Sequence, residues 1–299
     1  MYMNTNTRIL APEFAFARPA SLAEAFALMK EHGPGARLLA GGTDLLVQMK
    51  MERLRPELVI SLSGVKELAG ITDGDGLTIG AATTIWEISK SPEVGARVAA
   101  LREACNAFST VSIMFMGTLG GNLCNASPAA DSAPALLVHD ASVVIRSVRS
   151  ERRVPLAEFF TGPGRTVLKP GEIVTAVTIP APTAGTGSAF RKISRVVADI
   201  SQVCAAVSLV REGGRVTACR IALGSVAPTP VRVARAEAAL VGANGTAEAF
   251  AAAAEIVAAD IRPISDVRAS ESYRRHVART IVRDALQTAW QRAGEGVSK

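Results

Sequence analysis

The chain is poor in the features that mark membrane segments and secretory signals. Phe, Trp and Tyr together make up only 4% of the 299 residues, although 48% are hydrophobic. No apolar run approaches the roughly 18 residues that a membrane-spanning helix needs, so no membrane span is expected. The N-terminal stretch MYMNTNTRILAPEFAF lacks the apolar core of a signal peptide. These absences predict a cytoplasmic protein.

Metal-binding residue types are few and scattered. The sequence has three His and four Cys, at positions 105, 124, 204 and 219, and no pair has the CxxC spacing of zinc or iron–sulfur sites. We therefore predict no metal site in this chain, and the sequence shows no catalytic triad. Cys124 is interpreted as a small packing residue rather than a redox thiol.

Charge gives little indication of a nucleic-acid partner. The chain has 33 basic and 27 acidic residues, for a net charge of +6. The basic clusters ERRV and YRRHVART are isolated, and aromatic residues do not interleave with them. A solvated surface explains this pattern better than nucleic-acid binding.

Length and residue patterns predict an α+β protein of two domains. Helix and strand signals alternate through residues 1–180, which we expect to form two α/β subdomains divided near residues 60–70. Residues 187–299 have a different pattern, in which a hairpin turned by Gly213-Gly214 precedes three helical segments. The Pro/Gly/Ser-rich stretch between them, Pro180–Ser188, is the predicted boundary.

Several helix starts are predicted from capping residues. Ser21 with Glu24, and Thr84 with Glu87, have the spacing of a capping box. Thr43 is predicted to cap a helix over TDLLVQMKMERL. Ser127 is predicted as another N-cap, with Pro128 in the first helical position.

Two glycine pairs carry the first functional signal. In LLAGGTDLL and in GTLGGNLCNASPAADSAPALL, the pattern predicts an apolar strand that leads to Gly-Gly, then to a small polar residue, an acid and an apolar helix. Without Cβ atoms, such a turn lets several backbone N–H groups approach an anion closely. A helix that starts there adds its positive dipole end. Two such turns are interpreted as holding one pyrophosphate, and the alternative is that each is only a tight turn.

Neither pair matches an established phosphate motif. The sequence AGGTDLL is not GxGxxG and lacks the GK[ST] of a P-loop, which argues against a dinucleotide-binding dehydrogenase fold and against an NTPase.

Together, these stretches resemble the FAD-binding medium subunit of the molybdenum hydroxylases, which includes that of carbon monoxide dehydrogenase and the FAD domain of xanthine dehydrogenase. The resemblance covers nearly the whole chain and implies an FAD-binding domain of the vanillyl-alcohol-oxidase (PCMH) type with a C-terminal α+β domain. Besides the two glycine stretches, the motifs that carry it are LKPGEIVTAVTIP, AFRKISR and DVRASESYRRHV.

The resemblance also implies FAD-binding residues. The first loop would wrap the pyrophosphate, the second would face it, Asp131 would accept hydrogen bonds from the adenosine ribose, and Leu168 and Lys192 would lie near the isoalloxazine. Arg191 is the rival of Lys192, because the register of AFRKISR is uncertain by one residue. The implied residues of the two loops are Leu38, Leu39, Ala40, Gly41, Gly42, Thr43 and Asp44, and Thr118, Leu119, Gly120, Gly121 and Asn122.

Each of these residues could instead have a purely structural role, and the sequence leaves both alternatives open. Asp44 and Asp131 would serve as helix-start charges, Lys192 as a surface lysine and Asn122 as a turn residue. The chain also departs from many relatives, which have Arg-Asn before the second glycine loop where this sequence has Met114-Phe115.

The implied function is that of an FAD-carrying electron-transfer subunit. Its partners would be a small [2Fe–2S] subunit and a large molybdopterin subunit, in a dimer of heterotrimers. The cofactor would carry the chemistry, and the protein would supply position and electrostatics. One alternative is a self-sufficient flavin oxidase of the same wider fold, and another is a nucleotide-binding regulatory module.

Overall fold

The structure is a computed structural model that describes residue 10 and residues 13–294. Its described residues form three main sheets with helices packed against them. The helices are α1 (Leu22–His32), α2 (Leu45–Lys50), α3 (Ile85–Lys90), α4 (Pro92–Arg97), α5 (Ala99–Asn106), α6 (Val111–Met116), α7 (Leu119–Asn125), α8 (Ser132–Leu137), α9 (Leu156–Phe159), α10 (Ala234–Leu240), α11 (Ala247–Asp260) and α12 (Glu271–Gly294). The strands are β1 (Ala15–Ala17), β2 (Ala36–Leu39), β3 (Leu58–Ser61), β4 (Ile71–Asp73), β5 (Gly76–Gly80), β6 (Ser142–Arg146), β7 (Glu151–Pro155), β8 (Phe160–Gly162), β9 (Arg165–Thr166), β10 (Ile173–Pro180), β11 (Thr186–Ile193), β12 (Val203–Glu212), β13 (Arg215–Gly224) and β14 (Val231–Arg232).

The first two sheets differ in strand direction. The first is parallel, in the order β1-β3-β2, with β3 at its centre. The connection from β1 to β2, on the two sides of β3, contains α1, and β2 reaches its parallel neighbour β3 through a crossover that contains α2. The second sheet is antiparallel, in the order β4-β5-β10-β6-β7. Its helices lie mostly in the long connection between β5 and β6.

The third sheet is buried on both faces. It is antiparallel, in the order β11-β12-β13-β14, and the glycine hairpin predicted at residues 213–214 joins β12 to β13. Alternate residues of β12 belong to different cores: Cys204 and Ala206 join the core of the five-stranded sheet, whereas Ala205 and Val207 join that of α11 and α12. This alternation explains why the first five residues of β12, VCAAV, are all apolar rather than every second one. The predicted α+β class is confirmed.

Helix starts agree with the sequence only in part. The Thr84–Glu87 capping box forms completely, and Ser21 caps α1, which ends at Gly33 as its pattern indicates. The prediction for Thr43 is wrong, because α2 begins after Asp44 and has no side-chain cap bond. The prediction for Ser127 is also wrong. Its hydroxyl accepts from Ala129 N–H within a turn, and α8 starts at residue 132.

The C-terminal sheet is joined to the rest by polar as well as apolar contacts. Glu103 of α5 accepts from the N–H of Phe190 at 2.8 Å, and the N–H of Ser225 donates to Pro128 O at 2.7 Å. Within the described residues, no helix combines the length and the apolar character that crossing a membrane requires.

We expect Gly187→Ala to destabilise the protein, because a Cβ there would lie 2.0 Å from Ala289 O, where α12 packs against the backbone of β11. Overpacking of this kind typically costs about 1–3 kcal/mol. Gly74→Ala is the matched control, since a Cβ at Gly74 meets nothing within 4 Å. Urea unfolding of both variants checks the prediction, and equal midpoints would contradict it.

Candidate functional site

A cleft of about 290 Å³ lies between the three-stranded and the five-stranded sheets. Both glycine stretches line it, together with the segments around Leu62, Leu68 and Ala81 and the start of β10. No Lys or Arg is among its lining residues in the described part of the chain. The predicted site residues that line it are Leu38, Ala40, Gly41, Gly42, Thr43, Asp44, Thr118, Gly120, Gly121, Asn122 and Leu168.

The first glycine stretch is a turn between a strand and a helix, as its pattern predicts. Gly42 has φ +74°, a left-handed conformation that glycine adopts without strain. The N–H groups of Gly41, Gly42 and Thr43 make no hydrogen bond to any described residue. This turn therefore offers three consecutive backbone donors beside the cleft.

The second glycine stretch has a different local structure from the predicted one. Helix α6, rather than a strand, precedes it, and Gly120-Gly121 lies in the first turn of α7, with Thr118 as N-cap. Its N–H groups are already bonded: Leu119 donates to Thr83 O, Gly120 to Ala81 O and Gly121 to the Thr118 hydroxyl at 3.1 Å. The two stretches are therefore not equivalent anion-binding turns.

The first glycine of each pair serves contact between chain segments. A Cβ on Gly41 would lie 1.7 Å from Met116 O, and a Cβ on Gly120 would lie 2.6 Å from Ala81 Cβ. Both positions need glycine because other parts of the chain pack directly against them. Gly121 faces the first loop more loosely, since its Cβ would lie 3.6 Å from Ala40 Cβ.

A side-chain hydrogen bond joins the two loops: Asn125 Nδ2 donates to Asp44 Oδ1 at 3.1 Å. Within the second stretch, Ser132 Oγ donates to Asn122 Oδ1 at 2.6 Å. Burial raises the pKa of Asp44, while its hydrogen bonds to Thr43 and Asn125 oppose that shift. The Asn122 bond leaves its amide NH₂ group as a donor beside the cleft.

The structure places Asp131 and Lys192 outside the lining of the cleft, and Leu39 and Leu119 lie outside it as well. Contact of these four residues with FAD therefore stays a prediction. Lys192 Nζ instead donates to Asp131 Oδ2 at 2.7 Å, and both side chains are about 5% exposed or less. The rival Arg191 points elsewhere, toward Thr288 and Glu103. The Asp131 carboxylate, predicted to bind the ribose, and the Lys192 ammonium, predicted to lie near the flavin, thus form an ion pair with each other in this structure.

This ion pair joins three parts of the chain. Lys192, on β11, also donates to Ala107 O at 2.9 Å and Phe108 O at 3.2 Å, and Phe108 lines the cleft. Asp131 precedes α8, and its second oxygen, Oδ1, has no partner in the described structure. Burial raises the pKa of Asp131 to about 6, and the Lys192 ammonium opposes the shift.

Several cleft residues lie outside the sequence prediction. Phe108, Ile173 and Val174 form an apolar wall, and Glu172 adds a carboxylate. Sequence spacing gives no sign of the apolar wall, because these residues read as ordinary core. Cys124 also lines the cleft, and burial raises the pKa of its thiol to about 12, which keeps it protonated and unreactive at neutral pH.

We expect Lys192→Met to lower the free energy of unfolding by about 3–5 kcal/mol, because it leaves the Asp131 carboxylate buried without its partner. Combining it with Asp131→Leu removes both charges and is expected to recover a large part of the loss. Urea unfolding of both variants provides the measurement. If adding Asp131→Leu lowered the free energy of unfolding further, an unpaired Asp131 charge would not be the cause of the loss in Lys192→Met.

Two protein-family models match the chain in succession. The FAD-binding domain in molybdopterin dehydrogenase matches residues 12–182, and the C-terminal domain of carbon monoxide dehydrogenase flavoprotein matches residues 188–289. The described residues contain no group of three or more His, Cys, Asp or Glu side chains placed to hold a metal ion.

Several known proteins and solved structures are similar to this chain over nearly its whole length. The carbon monoxide dehydrogenase medium chain of Hydrogenophaga pseudoflava is 34% identical, with 95% of this chain and 99% of that one covered. The putative xanthine dehydrogenase FAD-binding subunit of Escherichia coli is 35% identical, with 94% and 97% covered. The structure of the Hydrogenophaga pseudoflava carbon monoxide dehydrogenase that lacks the Mo-pyranopterin moiety matches with a TM-score of 0.91, 36% identity and coverage of 95% and 99%. Quinoline 2-oxidoreductase of Pseudomonas putida matches with a TM-score of 0.90, 31% identity and coverage of 94% and 98%. This chain therefore belongs to the family of FAD-binding medium subunits of the molybdopterin dehydrogenases.

Proposed function

We propose that this chain binds FAD in the cleft between its first two sheets and passes electrons from a partner subunit to an external acceptor. The observation that carries the proposal is the cleft itself, which is lined by apolar side chains and by a turn whose N–H groups have no partner among the described residues. The family of the chain supports FAD as the cofactor.

The residues of the cleft fit the two ends of FAD. The N–H groups of Gly41, Gly42 and Thr43 would donate to the pyrophosphate, and the amide of Asn122 would add a side-chain donor. Leu168 and Phe108 would cover the isoalloxazine ring with apolar surface. FAD supplies the electron-accepting chemistry when bound, and these side chains hold and orient it.

The source of the electrons is assigned to a partner subunit. Similar proteins are named as medium chains, which implies further chains in their complexes. We infer that a small [2Fe–2S] subunit reduces the FAD of this chain and that a large molybdopterin subunit oxidises the substrate. Assembly as a dimer of heterotrimers in the cytoplasm belongs to the same proposal.

The other two hypotheses have less support. A self-sufficient flavin oxidase needs its own substrate pocket and acid–base residues, whereas the cleft is lined mainly by backbone, apolar and amide groups. A regulatory nucleotide-binding module would have no need of an apolar wall suited to a flavin ring. The near full-length similarity to medium subunits also favours the electron-transfer role.

Purification of the chain together with its neighbouring gene products tests the assignment. We expect a yellow complex with flavin absorption that also contains molybdenum and about two iron atoms per [2Fe–2S] cluster. An active flavin oxidase that purifies alone, without molybdenum or iron, would favour the self-sufficient enzyme instead.

We expect Gly121→Val to abolish FAD binding, because its side chain would fill the space between α7 and Ala40 where the two loops face each other. The measurement is flavin content after purification with excess FAD, and Gly74→Ala is the control. Circular dichroism shows whether the variant is folded. Full flavin occupancy in folded Gly121→Val would refute this placement of the cofactor.

A further inference from the structure

The segment after β9 forms a tight turn that presents Leu168 to the cleft. Gly171 has φ +81°, and the N–H of Glu172 donates to Lys169 O at 3.1 Å, which is the geometry of a type II turn with Pro170 in second position. The Leu168 side chain lies at the cleft just before this turn, and Ile173 of β10 lies just after it. The position of Leu168 therefore depends on how firmly the turn is held.

A single arginine outside the cleft holds this turn. Arg152 of β7 donates to Glu172 through Nε at 3.0 Å and Nη2 at 2.8 Å, and its Nη2 also donates to Val167 O at 3.0 Å. The Glu172 carboxylate accepts a further bond from the N–H of Lys169 at 2.8 Å. These four bonds fix the turn on both sides of Leu168.

The geometry depends on a guanidinium group. A planar fork can engage both carboxylate oxygens and a carbonyl at once, whereas a lysine ammonium acts as a point charge. The Glu172 side chain is only 10% exposed, and its hydrogen bond to Arg152 lowers the pKa of its carboxyl group. The carboxylate therefore stays charged and bonded at neutral pH.

From this geometry, we propose that Arg152 is a positioning residue for the flavin. It is absent from the cleft lining and acts through Glu172 and Val167 to set the place of Leu168 against the isoalloxazine ring. The inference rests on the proposed FAD site. The same inference gives Glu172 a structural role. This residue lines the cleft, but both of its carboxylate oxygens accept hydrogen bonds from Arg152 or from the turn.

The neighbouring residue provides a matched control. Arg153 follows Arg152 on the same strand, but it is exposed and lies among the residues of a separate shallow groove on the five-stranded sheet. Successive strand residues point to opposite faces, so Arg153 carries the same charge away from the turn.

The test measures the dissociation constant for FAD and the flavin absorption and fluorescence spectra in Arg152→Gln, Arg152→Lys, Glu172→Gln and Arg153→Gln. We expect Arg152→Gln and Glu172→Gln to raise the Kd about tenfold, as the loss of a charge-assisted hydrogen bond predicts, and to change the flavin spectra. Arg152→Lys should lie between these and the wild type, because it keeps the charge and loses the fork. Arg153→Gln should leave both readouts unchanged.

The double variant Arg152→Gln/Glu172→Gln separates this role from general destabilisation. If the two residues act as one unit, the double variant is no worse in Kd than either single variant. Wild-type Kd and spectra in folded Arg152→Gln, or strictly additive losses, would overturn the inference while leaving the FAD site intact. Failure of the wild-type chain to bind FAD would instead refute the proposed function.

Discussion

The direct contact between the Gly41 backbone and the Met116 carbonyl determines the shape of the site. A Cβ on Gly41 would lie 1.7 Å from that oxygen, so any other residue would force the first loop away from the segment before α7. The contact brings the strand–helix turn of one sheet against the helix start of the other, and the cleft is the space left beside it. Gly41 thus acts chiefly by letting two chain segments pack against each other. The N–H groups of the first glycine turn are the backbone donors that an anion could use.

A second constraint places the buried Asp131–Lys192 pair behind the wall of the cleft. Burying two charges is costly, and on the lysine side that cost is offset best when the other ammonium donors also find acceptors. Lys192 meets this condition through the carbonyls of Ala107 and Phe108, which ties the C-terminal sheet to the connection between α5 and α6. The same bonds hold Phe108 at the cleft. The C-terminal domain therefore contributes to the site without lining it, through an ammonium that neutralises a carboxylate from the other domain.

Local sequence rules predict part of this structure correctly, although the N-caps predicted at Thr43 and Ser127 are wrong. The Thr84–Glu87 capping box and the Gly213-Gly214 hairpin depend on neighbouring residues, and both are present. Local patterns do not predict that Gly120-Gly121 lies in the first turn of α7, because the N–H groups there bond to carbonyls about 36 to 39 residues earlier in the chain, at Thr83 and Ala81. The Asp131–Lys192 pair spans 61 residues and escaped prediction for the same reason. Similarity to a family identified which segments form the cleft, whereas the roles of single side chains depended on tertiary contacts.

The segment Met114-Phe115, where the family resemblance leads us to expect Arg-Asn, affects the site through the backbone that follows it. Met114 is buried in the core of the five-stranded sheet, and Phe115 stacks on Trp86 with ring centroids 4.4 Å apart, on the outside of the molecule. Neither side chain lines the cleft. The atom of this segment that shapes the site is the carbonyl oxygen of Met116, and every residue type supplies a carbonyl. The exposed side chain of Phe115 can therefore change while the contact with Gly41 persists, whereas the buried side chain of Met114 is held by its packing in the core. In either case the two loops meet through the Met116 carbonyl and the Gly41 backbone.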